Sequence, residues 1–334
     1  VRVDFVATER HYAAHLEPVR DDLALRGVEI GLHHGPTALD DGVPTVIAAH
    51  GDLKFVPQSR PVALLEHGAG QTYRSIDHGG YSGGKDRERI SLFLCPNVEV
   101  ADRNRARYPH GVGSNPMMAV VGCPRLDKWV TGGEQRPERG ALDYPVVGMT
   151  WHWDCHLVHE TRTGWTYFES MIEQVAANYS IIATAHPRLQ ERVEYRYRDL
   201  SEKFGRQFEW TEDADEIIRW ADVLSVDNSS LGFEFMAVTD RPVVWLNSPL
   251  YREQMNHGLR FWEWADSGVQ VNHRANWVDG IREALEDHPA QKARRRECVQ
   301  HVYGHTLDGR AAERAGDAII EWAMAHDTRY PVED

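Results

Sequence analysis

Residues 221–247 read ADVLSVDNSSLGFEFMAVTDRPVVWLN, an order of residue types that spells strand, polar turn, helix, strand. DVLSVD (222–227) is a short apolar run that stops at Asp227. Asn228, Ser229 and Ser230 then turn the chain, and a helix is predicted to begin near Leu231. RPVVWLN (241–247) is the next strand. Strand–helix–strand units of this kind build parallel sheets covered on both faces. A helix N-terminus also exposes unpaired N–H groups and partial positive charge, which suits a diphosphate. Ser229 and Ser230 add hydroxyl donors. Glu234 lies one turn deeper on the face of Ser230 and can accept from both hydroxyls of a ribose. Gly232 permits close approach by a ligand or by the sheet. A plain helix cap reads the same residues equally well, as Ser before a helix with an acid in its first turns.

Outward from this segment the alternation repeats. Before it come strands PVVGMTW (145–151), SIIATAHP (180–187) and QFEW (207–210), with helices predicted over 163–179, 189–205 and 214–221. After it, WVDGIREALED (277–287), QKARRRECVQHVYG (291–304) and AAERAGDAIIEWAMAH (311–326) are helical. The first third alternates too. RVDFVATE (2–9) leads into the amphipathic HYAAHLEPVRDDLALRG (11–27). Short β-rich runs follow at 28–34, 44–51, 61–68, 91–97 and 117–124, with a helix near 101–108. Between these series lies TGGEQRPERGALDYP (131–145), rich in Gly, Pro and charge and without apolar periodicity. It is the expected hinge. The expected architecture is α/β, two Rossmann-like domains facing each other across a cleft. They span 1–138 on the acceptor side and 139–334, with the C-terminal helices, on the nucleotide-donor side.

Composition narrows the function. With 334 residues, 42% of them hydrophobic, the chain suits two globular cores. No run approaches the ~18 apolar residues of a membrane helix, and the opening VRVDFVATERHYAAHL does not read as a signal peptide. The four cysteines are scattered, which fits a reducing compartment better than a disulfide framework or zinc ribbon. The expected location is cytoplasmic, with peripheral membrane contact left open. A net charge of −14 speaks against nucleic acid as partner. The basic runs RLQERVEYRYR (188–198) and QKARRRE (291–297) read first as solvated helix faces.

Ligands in open α/β sheets bind beyond the carboxyl ends of the strands, and three further segments sit there. In LLEHGAGQTYR (64–74), His67 ends a strand and Gly68 and Gly70 loosen the next loop. A histidine here can take the proton of an acceptor hydroxyl, a role typically worth ~10²–10⁴ in rate. In IIATAHPRL (181–189), His186 can donate to a diphosphate and Arg188 can bind phosphate. A structural turn histidine is the alternative for both. In MTWHWDCHLVHE (149–160), a helix would align His152, His156 and His159, with Cys155 close by, at zinc-binding spacing. In a loop the spacing means nothing, and Trp151 and His152 then belong to the donor pocket. Motifs for metalloproteases, P-loops and nucleophile elbows are missing.

Taken in order, six segments resemble the CDP-glycerol glycerophosphotransferases of teichoic-acid synthesis. They are EHGAGQTYR (66–74), VVGCPRLDKW (120–129), VVGMTWHWD (146–154), ATAHPRL (183–189), VDNSSLGFEFMAVTDRPVVWLN (226–247) and HTLDGRAAERAGDAI (305–319). The resemblance implies a GT-B fold and a CDP-linked donor. It implies His67 as acceptor-side base, His186 as donor-side histidine, and Ser229 and Ser230 at the diphosphate. The expected reaction moves a group from a nucleotide diphosphate to an acceptor hydroxyl. Catalysis is assigned to His67 and His186. Donor binding is assigned to Trp151, Arg188, Asp227, Asn228, Ser229, Ser230 and Glu234, and the acceptor side to Gly68 and Gln71. No cofactor or metal is expected to be obligatory. The alternatives are a GT-B glycosyltransferase using UDP- or another nucleotide-sugar and a non-catalytic nucleotide-sugar-binding module.

Overall fold

In the computed structural model, short runs rich in Val, Ile and Leu form the strands of two parallel sheets. Residues 1–34, 39–40, 42–68, 88–106, 116–132, 145–154, 163–248 and 264–326 are described. The first sheet contains β1 (Arg2–Val6), β2 (Glu29–His33), β3 (Thr45–Ile47), β4 (Val62–Leu65), β5 (Ile90–Cys95) and β6 (Met117–Val120), in the order β2-β1-β3-β4-β5-β6. The second contains β7 (Val146–Thr150), β8 (Ser180–Ala183), β9 (Phe208–Trp210), β10 (Val223–Val226), β11 (Val243–Leu246) and β12 (Val269–Val271), in the order β12-β11-β10-β7-β8-β9. Every pairing in both sheets is parallel. Strands buried on both faces need continuous apolar runs, and β3, β4, β7, β8, β10 and β11 are buried along their whole length.

The helices are α1 (Arg10–Leu25), α2 (Val98–Ala106), α3 (Asp127–Val130), α4 (Trp165–Phe168), α5 (Ile172–Ala176), α6 (Pro187–Phe204), α7 (Ala214–Trp220), α8 (Leu231–Thr239), α9 (Trp277–Leu285), α10 (Pro289–Val302) and α11 (Ala311–His326). The single helix predicted over 163–179 is broken, with a 3₁₀ turn at Glu169–Met171 between α4 and α5. Its aromatic and β-branched residues are poor helix formers. The burial of Trp165, Phe168 and Ile172 decides the local path. β12 was not foreseen, since three residues carry no periodicity.

The chain forms two compact units. One takes in the described residues up to 132 and those from Tyr303 onward, and the other runs through the intervening residues to Val302. This corrects the expected domain division. The C-terminal helix α11 packs on α1 in the first unit, where Ala315, Ile319, Trp322 and Ala323 join the core of Val3, Phe5, Leu16 and Val19. The approach is close: a Cβ on Gly316 would lie 2.2 Å from an Asp22 carboxylate oxygen.

A polar latch seats α11. Both Asp127 carboxylate oxygens accept from its first N–H groups, Ala311 at 3.0 Å and Ala312 at 2.8 Å. Arg314 donates to the carbonyls of Val121 and Thr306, each at 2.9 Å, and pairs with Asp308 at 2.8 Å. Thus VVGCPRLDKW and HTLDGRAAERAGDAI, far apart in sequence, meet here. The first unit also carries a buried ion pair, Arg60 to Asp4 at 2.8 Å, with Thr45 accepting a second Arg60 bond at 2.8 Å. In the second unit, Arg295 is buried and donates to the Asp240 carbonyl and the Asp287 carboxylate.

The two basic runs are paired with carboxylates. Arg192 meets Asp154, Arg196 meets Glu173, Arg294 meets Asp266 and Arg296 meets Asp240. None of the described helices is long and apolar enough to cross a membrane.

Removing the cap on α11 should loosen the first unit. Asp127→Ala is expected to cost about 1 kcal/mol, the usual value of a capping side chain, read as a lower urea midpoint with an unchanged slope. An unchanged midpoint would show that α11 is held by packing alone.

Candidate functional site

The second sheet reverses its winding direction between β7 and β10, so the crevice at their carboxyl ends is where a doubly wound sheet receives a ligand. Asp227 follows β10 at this point and is 2% exposed. One carboxylate oxygen accepts from the backbone N–H of His152 at 2.8 Å and of Asn228 at 2.5 Å. The other accepts from the Gly164 N–H at 2.7 Å and the Thr163 hydroxyl at 3.3 Å. Burial pushes this carboxyl up from its ordinary value, while His152 and the backbone donors pull it down. The Thr163 oxygen itself accepts from the Trp165 N–H, so its proton points to Asp227. All four contacts therefore donate to the carboxylate, the arrangement of an ionised group. The sequence reading places Asp227 at the donor itself. The structure instead uses both its oxygens to hold the loop after β7 and the start of α4. Gly164 packs closely here, since a Cβ would stand 3.1 Å from the Asp227 Cβ.

His186 follows β8, the neighbour of β7, and caps α6, with Nδ1 accepting from the Arg188 N–H at 3.2 Å. Pro187 fixes the first helical residue. The rings of His186 and His152 lie 5.6 Å apart. Trp153 lies against both, 5.9 Å from His186 and 6.1 Å from His152. The Arg188 guanidinium covers the Trp153 ring at 4.6 Å. The sequence-level candidates His186, Arg188 and His152 are thus brought together. Trp153 was missed, although it neighbours two of the residues chosen.

Trp151 requires correction. It is fully buried, edge-on to Trp165 at 5.6 Å and to Trp277 at 5.8 Å. Val147, Met149 and Trp151 share one face of β7 and its extension and enter the same core, so the indole is scaffold.

α8 begins beside this loop, as predicted. The Ser229 hydroxyl accepts from the Leu231 N–H at 3.3 Å. Ser230 occupies the cap position, yet its hydroxyl makes no capping bond. Glu234 is buried in the first turn, and Asn228 is buried next to Asp227. Gly232 serves the sheet: a Cβ there would come within 2.5 Å of the Trp245 ring. Of the zinc candidates, Cys155, His156 and His159 lie outside the described residues, as does Gln71. Among the described residues, no group of three or more His, Cys, Asp or Glu could hold a metal ion.

The first unit places His67 just past β4, exposed, with its ring 5.1 Å from Tyr12 and 5.4 Å from His15 of α1. His15 is driven well below its ordinary value, first by burial and then by the charges of His67, Arg125 and His11. Gly68 takes the left-handed conformation at φ 79°, which turns the chain straight after His67. This sheet reverses between β1 and β3, and a residue overlooked in the sequence sits there. Asp52, 1% exposed, accepts from the Thr8 hydroxyl at 2.5 Å, and its other oxygen has no hydrogen-bond partner among the described residues. Burial pushes its carboxyl up, against the pull of Thr8.

Comparison with known proteins agrees with this architecture. The model of the family "CDP-Glycerol:Poly(glycerophosphate) glycerophosphotransferase" matches residues 150–321, which is 172 of the 334 residues. No curated protein matches the sequence. Among solved structures, the wall teichoic acid polymerase TagF, as a histidine variant soaked with CDPG, is similar at TM-score 0.65 and 11% identity, over 97% of this chain and 89% of that one. The S. aureus MnaA–UDP complex is similar at TM-score 0.59 and 14% identity, over 100% of this chain and 99% of that one. A Methanocaldococcus jannaschii UDP-GlcNAc 2-epimerase in complex with UDP-GlcNAc and UDP follows at TM-score 0.56 and 12% identity, over 97% of this chain and 100% of that one. At such identities the likeness is one of fold, the GT-B fold.

The buried Asp52 has a pH consequence. Its folded pKa is raised, so the native state holds this proton more tightly than the unfolded chain does. Its contribution to stability is full below the unfolded value of about 3.9 and is lost as pH rises through the folded value. Asp52→Asn keeps the shape and removes the titration. The Tm of the variant relative to wild type should therefore climb as pH increases from acid to neutral. A constant difference would mean that Asp52 does not titrate abnormally.

Proposed function

Because this chain belongs to the CDP-glycerol:poly(glycerophosphate) glycerophosphotransferase family, and is thus a transferase that uses a nucleotide-diphosphate donor, we propose that its donor is CDP-glycerol or a close analogue. The observation that carries this reading is the convergence of His186, His152, Arg188 and the start of α8 around the switch point of the second sheet. These groups supply N–H donors and positive charge to a diphosphate. In this reading the α8 N-terminus and the Ser230 hydroxyl hold the phosphates, and Glu234 takes the ribose hydroxyls. Asp227 and Asn228 act beneath them, keeping the loop of His152 in place.

Chemistry in this scheme is displacement at phosphorus. An acceptor hydroxyl oxygen attacks the phosphorus that bears glycerol. The bond from that phosphorus to the bridging oxygen breaks, CMP leaves with the bonding pair, and the acceptor proton passes to His67. His186 offers a hydrogen bond to the charge that builds on the leaving phosphate. No metal is needed for this balance, since imidazole, guanidinium and helix terminus supply the neutralising charge. The acceptor is a hydroxyl compound, with a polyol or glycan as the class to search.

A thermal-shift series with CMP, CDP, CDP-glycerol, UDP, UDP-glucose and GDP-mannose tests the donor. A ligand that binds only the folded state stabilises it by RT ln(1 + [L]/Kd) and so raises Tm. The expected result is a shift with cytidine diphosphates. A shift confined to uridine or guanosine compounds would replace this reading with sugar transfer. Ser230→Ala should weaken CDP by about 1 kcal/mol, the value of one hydrogen bond. Glu234→Ala should weaken CDP and leave pyrophosphate unchanged. Wild-type CDP affinity in both variants would place the site elsewhere.

A further inference from the structure

The two histidines of the second unit are held in opposite hydrogen-bonding states. His152 Nδ1 lies 2.8 Å from the carbonyl oxygen of Trp153. A carbonyl only accepts, so this nitrogen carries a proton. His186 Nδ1 instead accepts the Arg188 N–H at 3.2 Å, so it carries none and the ring proton sits on Nε2. His186 is thereby fixed as a neutral donor through Nε2. His152 gains or loses its second proton at Nε2, and the buried Asp227 carboxylate, bonded to the His152 backbone N–H, favours the charged ring.

We propose that His152 binds the donor diphosphate as an imidazolium beside the neutral His186, the two rings forming a clamp in which only His152 changes charge. The inference rests on the nucleotide-diphosphate reading given above. It follows from position as well as protonation: His152 follows β7 and His186 follows β8, with rings 5.6 Å apart, and β7 borders the switch point. Among the described residues, the charged groups near His152 include Asp227 after β10, Arg188 of α6, and Asp154, which is paired with Arg192 of α6 at 3.0 Å. Arg188 stacks on Trp153 and keeps its charge at every relevant pH. His186 cannot protonate without losing the Arg188 N–H bond. His152 is therefore the group through which pH acts on phosphate affinity.

CDP-glycerol is the probe, because its diphosphate diester has no ionisation near neutrality. Calorimetric binding across about pH 5.5–8.5 should show affinity highest in acid and falling roughly tenfold as the His152 ring deprotonates. His152→Gln should bind with the weak, alkaline-limit affinity at all pH values. His152→Arg should bind tightly and without pH dependence, and the ligand-free Tm of each variant reports folding. A flat wild-type profile, or a profile that persists in His152→Gln, overturns the clamp while leaving the donor reading intact. Wild type that binds no CDP-glycerol at any pH overturns the donor reading and the clamp together.

Discussion

A carboxylate sealed from water is tolerable only when donors surround it, and Asp227 meets four, three from backbone N–H groups. Beside the adjacent Asn228, those donors come from His152 after β7 and from Thr163–Gly164 before α4. One side chain thus holds the backbone at His152 and ties the start of α4 to the end of β10. The turn at Asn228–Ser230 grows from the same residue. The arrangement around His152 and the start of α8 is therefore built outward from a buried charge.

Much of the architecture was legible because parallel strands must be apolar on both faces, which writes them as short uninterrupted runs between turn residues. The strand ends before Asp227, His186 and His67 could be read directly, and with them the carboxyl edge of each sheet. Trp151 was misjudged although its periodicity was available, since it continues the alternation of Val147 and Met149 into the core. Its neighbours, His152 and Trp153, are the ones released from the sheet.

Other features lay beyond one-dimensional reading. Asp52 sits in AAHGDLKF, which contains no motif. Its place becomes meaningful only once β1 and β3 are seen to flank the reversal in the first sheet. Asp127 and Arg314 belong to segments whose resemblance to a family was noted, yet nothing local says that the carboxylate of one caps the helix of the other. Such contacts depend on strand order and on where the chain returns, which residue spacing does not encode.

The return of α11 to the first unit makes the second an insertion within it. Domains generally fold as they emerge from the ribosome, the N-terminal one first. Here the order is reversed at its last step. The second unit is complete once Val302 is available, whereas the first waits for Ala311–His326 to cover Val3, Phe5 and Leu16. During synthesis, an apolar face of the earliest strands and of α1 stays exposed until the final helix arrives. A chain stopped short of Ala311 would hold a finished second unit and an uncovered first one, a species suited to capture by chaperones and proteases.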